Sequence, residues 1–97
     1  MKKIPTREKC QDVSGLLKIL AHPQRLMILC QLSDGPKTVG ELEGLTHATQ
    51  SAVSQFLTRM KLEGLVAHRR QGQFVVYRMA DLKIKKLLQS LYKIYCE

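Results

Sequence analysis

A helix with one apolar stripe and one polar face, followed by a basic β-hairpin, predicts a mainly α fold with a single hairpin: a winged helix-turn-helix. From Thr49 to Met60 the large apolar residues Val53, Phe56, Leu57 and Met60 fall at i, i+3, i+4 and i+7, one face of a helix that Thr49 caps. The opposite face carries Ser51, Ser54, Gln55 and Thr58, where a merely solvated face usually carries Glu and Lys. Hydroxyls and amides both donate and accept, so they suit base edges and phosphate oxygens alike. After Gly64 the period turns strand-like: Leu65 to Arg70, then Gln71-Gly72, then Gln73 to Met79. The tip of that hairpin holds His68, Arg69, Arg70, Gln71 and Gln73.

The totals fit one small domain over residues 1–97. Lys and Arg outnumber Asp and Glu by 16 to 8, a net charge of +8 per chain, which favours a polyanionic partner and salt-sensitive association. A chain this short is marginally stable alone, so a homodimer is expected. Near Lys2, Lys3, Arg7, Glu8 and Lys9 there is no apolar leader, and no run of 18 apolar residues occurs, so the expected location is cytoplasmic with no membrane partner. Cys10, Cys30 and Cys96 are then thiols at rest. No nucleophile elbow, phosphate loop or carboxylate pair points to an enzyme, and no cofactor is expected. A winged helix used against protein instead of DNA remains as an alternative, which weak salt dependence of binding would reveal.

Residues 1 to 5 are expected to fray. A first helix spans Thr6 to Ala21, with Cys10, Val13, Leu17 and Leu20 on one face and Cys10 in the core. Pro23 opens a buried second helix to Leu32, containing Leu26, Met27, Ile28 and Leu29, and Ser33-Asp34-Gly35-Pro36 stops it. Thr38 and Glu41 form a capping box for a short third helix that turns Val39, Leu42 and Leu45 inward. Gly44 to His47 make the turn into the polar-faced helix. After the hairpin, Asp81 caps a last helix from Leu82 to Cys96, apolar on more than one side, so that one side can meet a second subunit.

Leu20-Ala21-His22-Pro23-Gln24-Arg25-Leu26-Met27-Ile28-Leu29, Gln50-Ser51-Ala52-Val53-Ser54-Gln55-Phe56-Leu57, and Gly64-Leu65-Val66 with Gly72, Val75 and Tyr77 together resemble the ArsR/SmtB family of bacterial winged-helix repressors over essentially the whole chain. One departure is Phe56, where a His is common. The resemblance implies five helices and a two-stranded wing, dimeric through the terminal helices, on an imperfect palindrome of double-stranded operator DNA. It places two recognition helices in major grooves about 34 Å apart. Thr49, Gln50, Ser51, Ser54, Gln55, Thr58 and Arg59 on the helix, and Arg69, Arg70 and Gln73 on the wing, become the expected DNA contacts. Leu17, Leu87, Leu91, Tyr92 and Tyr95 become the expected dimer interface.

The inducer is a separate question. The third helix lacks the Cys-x-Cys pair of many metal sensors in the family. The last helix has Asp81 but no His, and His22, His47 and His68 form no cluster, so no metal site of either common kind is expected. Cys30 and Cys96, set near the ends of the second and last helices, resemble the dithiol branch of the family. That resemblance implies a repressor that releases its operator when reactive sulfur species or oxidants bridge the two thiols. On chemistry alone both cysteines could be inert packing residues, since helix C-termini disfavour thiolate and only Lys93 acts the other way. The alternative inducer is arsenite or a soft metal, held by Cys10, Cys30 and Cys96 as thiolates.

Overall fold

The computed structural model describes residues 3–97, so of the terminal stretch expected to fray, residues 1 and 2 lie outside the described residues. The chain runs α1 (Arg7–Leu20), α2 (Pro23–Asp34), β1 (Lys37–Thr38), α3 (Val39–Thr46), α4 (Gln50–Leu62), β2 (Val66–Gln71), β3 (Phe74–Met79) and α5 (Leu82–Tyr95). These are the five helices and the antiparallel wing of a winged helix-turn-helix.

The helix boundaries follow from local chemistry. Thr6, Thr38, Thr49 and Asp81 each accept a backbone N–H of the first turn of the helix they open. At α2 the cap is His22, whose Nδ1 accepts from Gln24 N at 3.2 Å, and Pro23 occupies the first helical position. The capping box of α3 is complete: Glu41 N donates to Thr38 Oγ1 at 3.1 Å and Thr38 N donates to Glu41 Oε1 at 2.8 Å. α3 persists through Thr46, so the turn into α4 is His47 to Thr49, shorter and later than the Gly44–His47 turn expected from sequence. His47 ends α3 in the left-handed region at φ 57°, a conformation more often given to Gly or Asn. The hydroxyl of Thr46 donates to Leu42 O and is thereby satisfied in the core.

α2, α3, α4 and α5 enclose the core. Ile28, Leu29, Leu42, Val53, Leu57, Met60 and Ile84 are fully buried. The sheet has order β1-β3-β2: the short strand Lys37–Thr38 pairs with Tyr77 and Val76, adding a third strand to the two-stranded wing. Two residues give too little alternation for a strand to be read from sequence. In the wing Gln71 faces Phe74, leaving Gly72-Gln73 as the two-residue loop, one position later than expected. Gly72 takes φ 63°, the positive value that the first central position of a type II′ hairpin turn requires.

Three burial expectations are corrected. Cys10 is exposed, as are Val13 and Leu17. α1 has two apolar stripes, and the domain core takes the one through Leu16, Ile19 and Leu20, leaving Cys10, Val13 and Leu17 outward. Leu45 is exposed because α3 turns Leu42 and Thr46 inward instead. Met27 is exposed because α2 presents Ile28, Leu29 and Leu32 to the core. Four neighbouring apolar residues on a helix cannot all face one side.

Candidate nucleic-acid interface and thiol pair

Val53, Leu57 and Met60 anchor α4, which turns its other face to solvent. Thr49, Gln50, Ser51, Ser54, Gln55, Thr58 and Arg59 are all exposed on it. They are not equally free. The oxygen of Thr49 accepts from Ala52 N at 3.1 Å, and the hydroxyl of Thr58 donates to Ser54 O at 2.8 Å. Arg59 sits 3.7 Å from Glu63 one turn on. Ser51 and Gln55 meet only through a long contact of 3.5 Å, and Ser54 Oγ has no described partner. Gln50, Ser51, Ser54 and Gln55 are therefore the groups whose hydrogen-bonding capacity is available to a ligand.

Phe56 faces inward. Its ring lies 4.9 Å from the ring of His22, tilted by 58°, and the Arg25 guanidinium lies 5.8 Å from its centroid. Arg25 Nε is buried without a hydrogen-bond partner, while its Nη2 donates to Lys18 O at 3.4 Å, so the guanidinium lies between the Phe56 ring and the end of α1. The departure from the family pattern at Phe56 thus falls on a packing position between α2 and α4, not on the exposed face.

The wing projects Arg69, Arg70 and Gln73 into solvent. Cross-strand partners share a face, so the register separates two sides. His68, Arg70, Val75 and Tyr77 lie with Val66 and Met79, the side that reaches the core. Arg69, Gln71, Phe74, Val76 and Arg78 lie on the other. Sequence reasoning passed over Phe74 and Arg78. Their signal is alternation, but it becomes readable only when the loop is fixed at Gly72-Gln73.

Cys30 and Cys96 are free and solvent-accessible. α2 and α5 pack together, and Cys96 caps the end of α5, its N–H donating to Tyr92 O at 2.8 Å. Cys30 lies in a cleft of about 880 Å³ shared with Ser33, Lys86, Tyr92, Lys93 and Glu97. Burial by the cleft walls pushes the Cys30 thiol above its ordinary range, and Coulombic repulsion from Cys96 pushes it further the same way. Tyr92, Lys93 and Glu97 of that cleft bring the end of α5, where Cys96 stands, against the Cys30 side of α2. Cys10 has no part in this site. Among the described residues, no group of three or more His, Cys, Asp or Glu side chains is placed to hold a metal ion. No described helix is long and apolar enough to cross a membrane.

Leu17, Tyr92 and Tyr95 are exposed, whereas Leu87 and Leu91 are half-buried against their own core. Val13 on α1 and Ile94 on α5 extend the exposed apolar surface.

A helix-turn-helix with a polar second helix and a basic wing defines a DNA-binding regulator. Residues 22–68 match the family model described as bacterial regulatory protein, arsR family, and the chain belongs to that family. It is similar to the biofilm growth-associated repressor of Agrobacterium fabrum, 42% identical over 94 residues that make up 96% of this chain and 80% of that protein. The structure of BigR from Xylella fastidiosa superposes with a TM-score of 0.86 at 38% identity, over 96% of this chain and 99% of that one. Reduced HlyU from Vibrio cholerae gives 0.87 at 36%, over 93% and 95%. The family consists of transcription regulators, not enzymes, and this chain is a transcription regulator.

Proposed function

We propose that the protein is a homodimeric repressor that binds an imperfect operator palindrome and leaves it when Cys30 and Cys96 are bridged. The observation that carries the DNA reading is the exposed set Ser51, Ser54 and Gln55, joined by no more than one long contact of 3.5 Å, on a helix locked to the core. These residues read base edges or phosphates. Gln50 and Arg59 at the two ends of the helix, with Arg69, Arg70 and Gln73 on the wing, contact the backbone, while Thr49 and Thr58 hold the helix ready. The exposed apolar residues of α1 and α5, Leu17, Tyr92 and Tyr95 with Val13 and Ile94, cover one another across the dimer, and Leu87 and Leu91 support them from below. The sign of regulation follows the relatives described as biofilm growth-associated repressors, whereas HlyU of Vibrio cholerae is described as a transcriptional activator.

The sensing reading rests on Cys30 and Cys96 sharing one neighbourhood at the α2–α5 contact. An organic persulfide transfers its outer sulfur to one thiolate and leaves as the corresponding thiol. The second thiol then attacks the new persulfide, and hydrogen sulfide leaves as the Cys30–Cys96 bond forms. Two electrons pass from the dithiol to the transferred sulfur. The bridge clamps α2 to the dimer helix. α2 bears on α4 through His22 and Arg25 against Phe56, so the clamp alters how the two reading heads meet their half-sites.

Intact mass after exposure to an organic persulfide tests the chemistry. Loss of two hydrogens, or gain of bridging sulfur, is expected in the wild type and absent in both Cys30→Ser and Cys96→Ser. A bridge still formed in Cys96→Ser would mean that Cys10 is the partner and would overturn the pairing. Gln55→Ala and Ser54→Ala test the interface. Each is expected to weaken operator binding about tenfold at fixed salt, the loss of one base contact at roughly 1–3 kcal/mol. Unchanged affinity in both would remove the recognition-helix reading.

A further inference from the structure

From Leu82 to Tyr95, α5 carries four lysines and no acidic residue. Two of them, Lys86 and Lys93, fall with Gln89 and Ser90 at i, i+3, i+4 and i+7, so one exposed stripe of the helix is polar and cationic. That stripe walls the cleft of about 880 Å³ whose other wall, from α2, holds Cys30 and Ser33. Seven residues of helix set the two lysines about 10 Å apart along the axis. Among the described residues neither ammonium is ion-paired. The acidic side chains of the cleft are Asp34, bridged to Lys37 at 3.7 Å, and Glu97, past the end of α5. With Asp34 engaged, two ammonium groups face one carboxylate. The Cys30 thiol is raised by burial and then by Cys96, with no lowering from either ammonium, so the lysines act on the remainder of a bound molecule rather than on the sulfur. Pockets of roughly 300–1,000 Å³ hold drug-sized ligands, so the cleft is far roomier than hydrogen peroxide or hydrogen disulfide requires.

We propose that this cleft selects organic persulfides that bear carboxylates: Lys86 and Lys93 hold the carboxylates while the persulfide group lies against Cys30. This selection rests on the sensing reading above and deepens it, by naming the class of donor and the residues that choose it. The donor's S–S bond breaks as its outer sulfur passes to the Cys30 thiolate. The inner sulfur leaves as a thiolate and takes up the proton that Cys30 gave up. Cys96 then closes the bridge, and hydrogen sulfide leaves. Neither lysine makes or breaks a bond. Their charge raises the local concentration of an anionic donor over a neutral one of the same size. A donor without a carbon chain meets one lysine at most, since the two stand about 10 Å apart along the helix.

The test compares rates of Cys30–Cys96 bridging, read by intact mass at low salt, for a tripeptide persulfide with two free carboxylates and for its diester. Each rate is divided by that donor's rate with an unstructured cysteine peptide. In the wild type the corrected rate is expected to be about tenfold higher for the dicarboxylate, with the preference fading as salt rises. Lys86→Gln combined with Lys93→Gln is expected to abolish the preference and leave the diester rate unchanged. Lys83→Gln combined with Lys85→Gln removes the same charge from the same helix outside the cleft, and is expected to keep the preference. Equal corrected rates in the wild type overturn the inference and leave the sensing reading intact, as does a preference that survives without Lys86 and Lys93. A preference lost equally without Lys83 and Lys85 also overturns it, since net charge alone would then account for the effect. So does a fall in the diester rate of the Lys86 and Lys93 variant, which would assign those lysines to the fold. A wild type bridged by neither donor removes the sensing reading as well.

Discussion

Cys30 is a thiol whose surroundings oppose its reactivity. The cleft walls desolvate it, and Cys96 adds like charge, so less thiolate is present at neutral pH than on a free cysteine. The folded state therefore holds this proton more tightly than the unfolded state does. Its contribution to stability is present below the ordinary thiol range and is lost as pH rises through the raised value. Alkylation of Cys30 by iodoacetamide near neutral pH is expected to be slower than that of an unstructured cysteine peptide. It should steepen with pH and speed up modestly in Cys96→Ser, where the smaller of the two causes is gone. Peptide-like reactivity measured by mass spectrometry would show that the cleft does not shield the sulfur. Phe56 is the other telling residue. Truncating a fully buried Phe costs about 3–5 kcal/mol, and this half-buried ring should cost roughly 2 kcal/mol in Phe56→Ala, read by chemical denaturation. The same variant should still bridge Cys30 to Cys96 by mass but lose most of the accompanying change in DNA affinity. A full affinity change in Phe56→Ala would place the coupling elsewhere. Residue-level packing was the least legible part of the sequence. Phe56 read correctly as part of an apolar stripe, but its partners His22 and Arg25, more than 30 positions away, are fixed only by the crossing of α2 and α4.

At the scale of elements the sequence was far more readable, because caps, stripes and turn residues act over three or four positions. Thr6, Thr38, Thr49 and Asp81 mark their helices, and Thr38 with Glu41 marks the box. Hydrogen bonds from the Thr38 backbone and then its side chain, and after them the charge of Lys37, hold the Glu41 carboxyl below the ordinary carboxylate range. The folded value is depressed, so the support this box gives α3 is present at neutral pH. It is lost as pH falls below the ordinary range through the depressed value. Thr38→Ala is expected to cost about 1 kcal/mol at neutral pH, with a smaller difference from wild type at low pH. A pH-independent difference would mean that Glu41 does not take part in the cap. Two elements resisted sequence reading for physical reasons. β1 is two residues long and exists only because β3 offers it an edge. α1 has two apolar stripes, and which one enters the domain is decided by α2, not by α1 itself.

For the whole molecule, shape and surface point the same way. The protomer measures 52 × 30 × 20 Å, elongated for its length, and its exposed apolar residues lie largely on α1 and α5. Leu17→Glu together with Ile94→Glu is expected to yield monomers in sedimentation, with operator affinity lost by far more than either half-site contact supplies. A folded double variant that remains dimeric would move the interface away from α1 and α5. At +8 per chain, a dimer carries twice that charge to DNA, so affinity should fall steeply with salt. The charge and the polar face of α4 were legible from sequence alone; the proximity of Cys30 and Cys96 and the two-sidedness of the wing needed the fold.

The most direct measurement is operator affinity at one fixed salt concentration, for fully reduced protein and for protein whose Cys30–Cys96 bridge has been verified by mass. A large loss of affinity on bridging, at least tenfold, is the predicted result, restored by reductant and absent in Cys30→Ser. Equal affinity in the reduced and bridged forms would contradict it, and the thiol pair would then have no control over DNA.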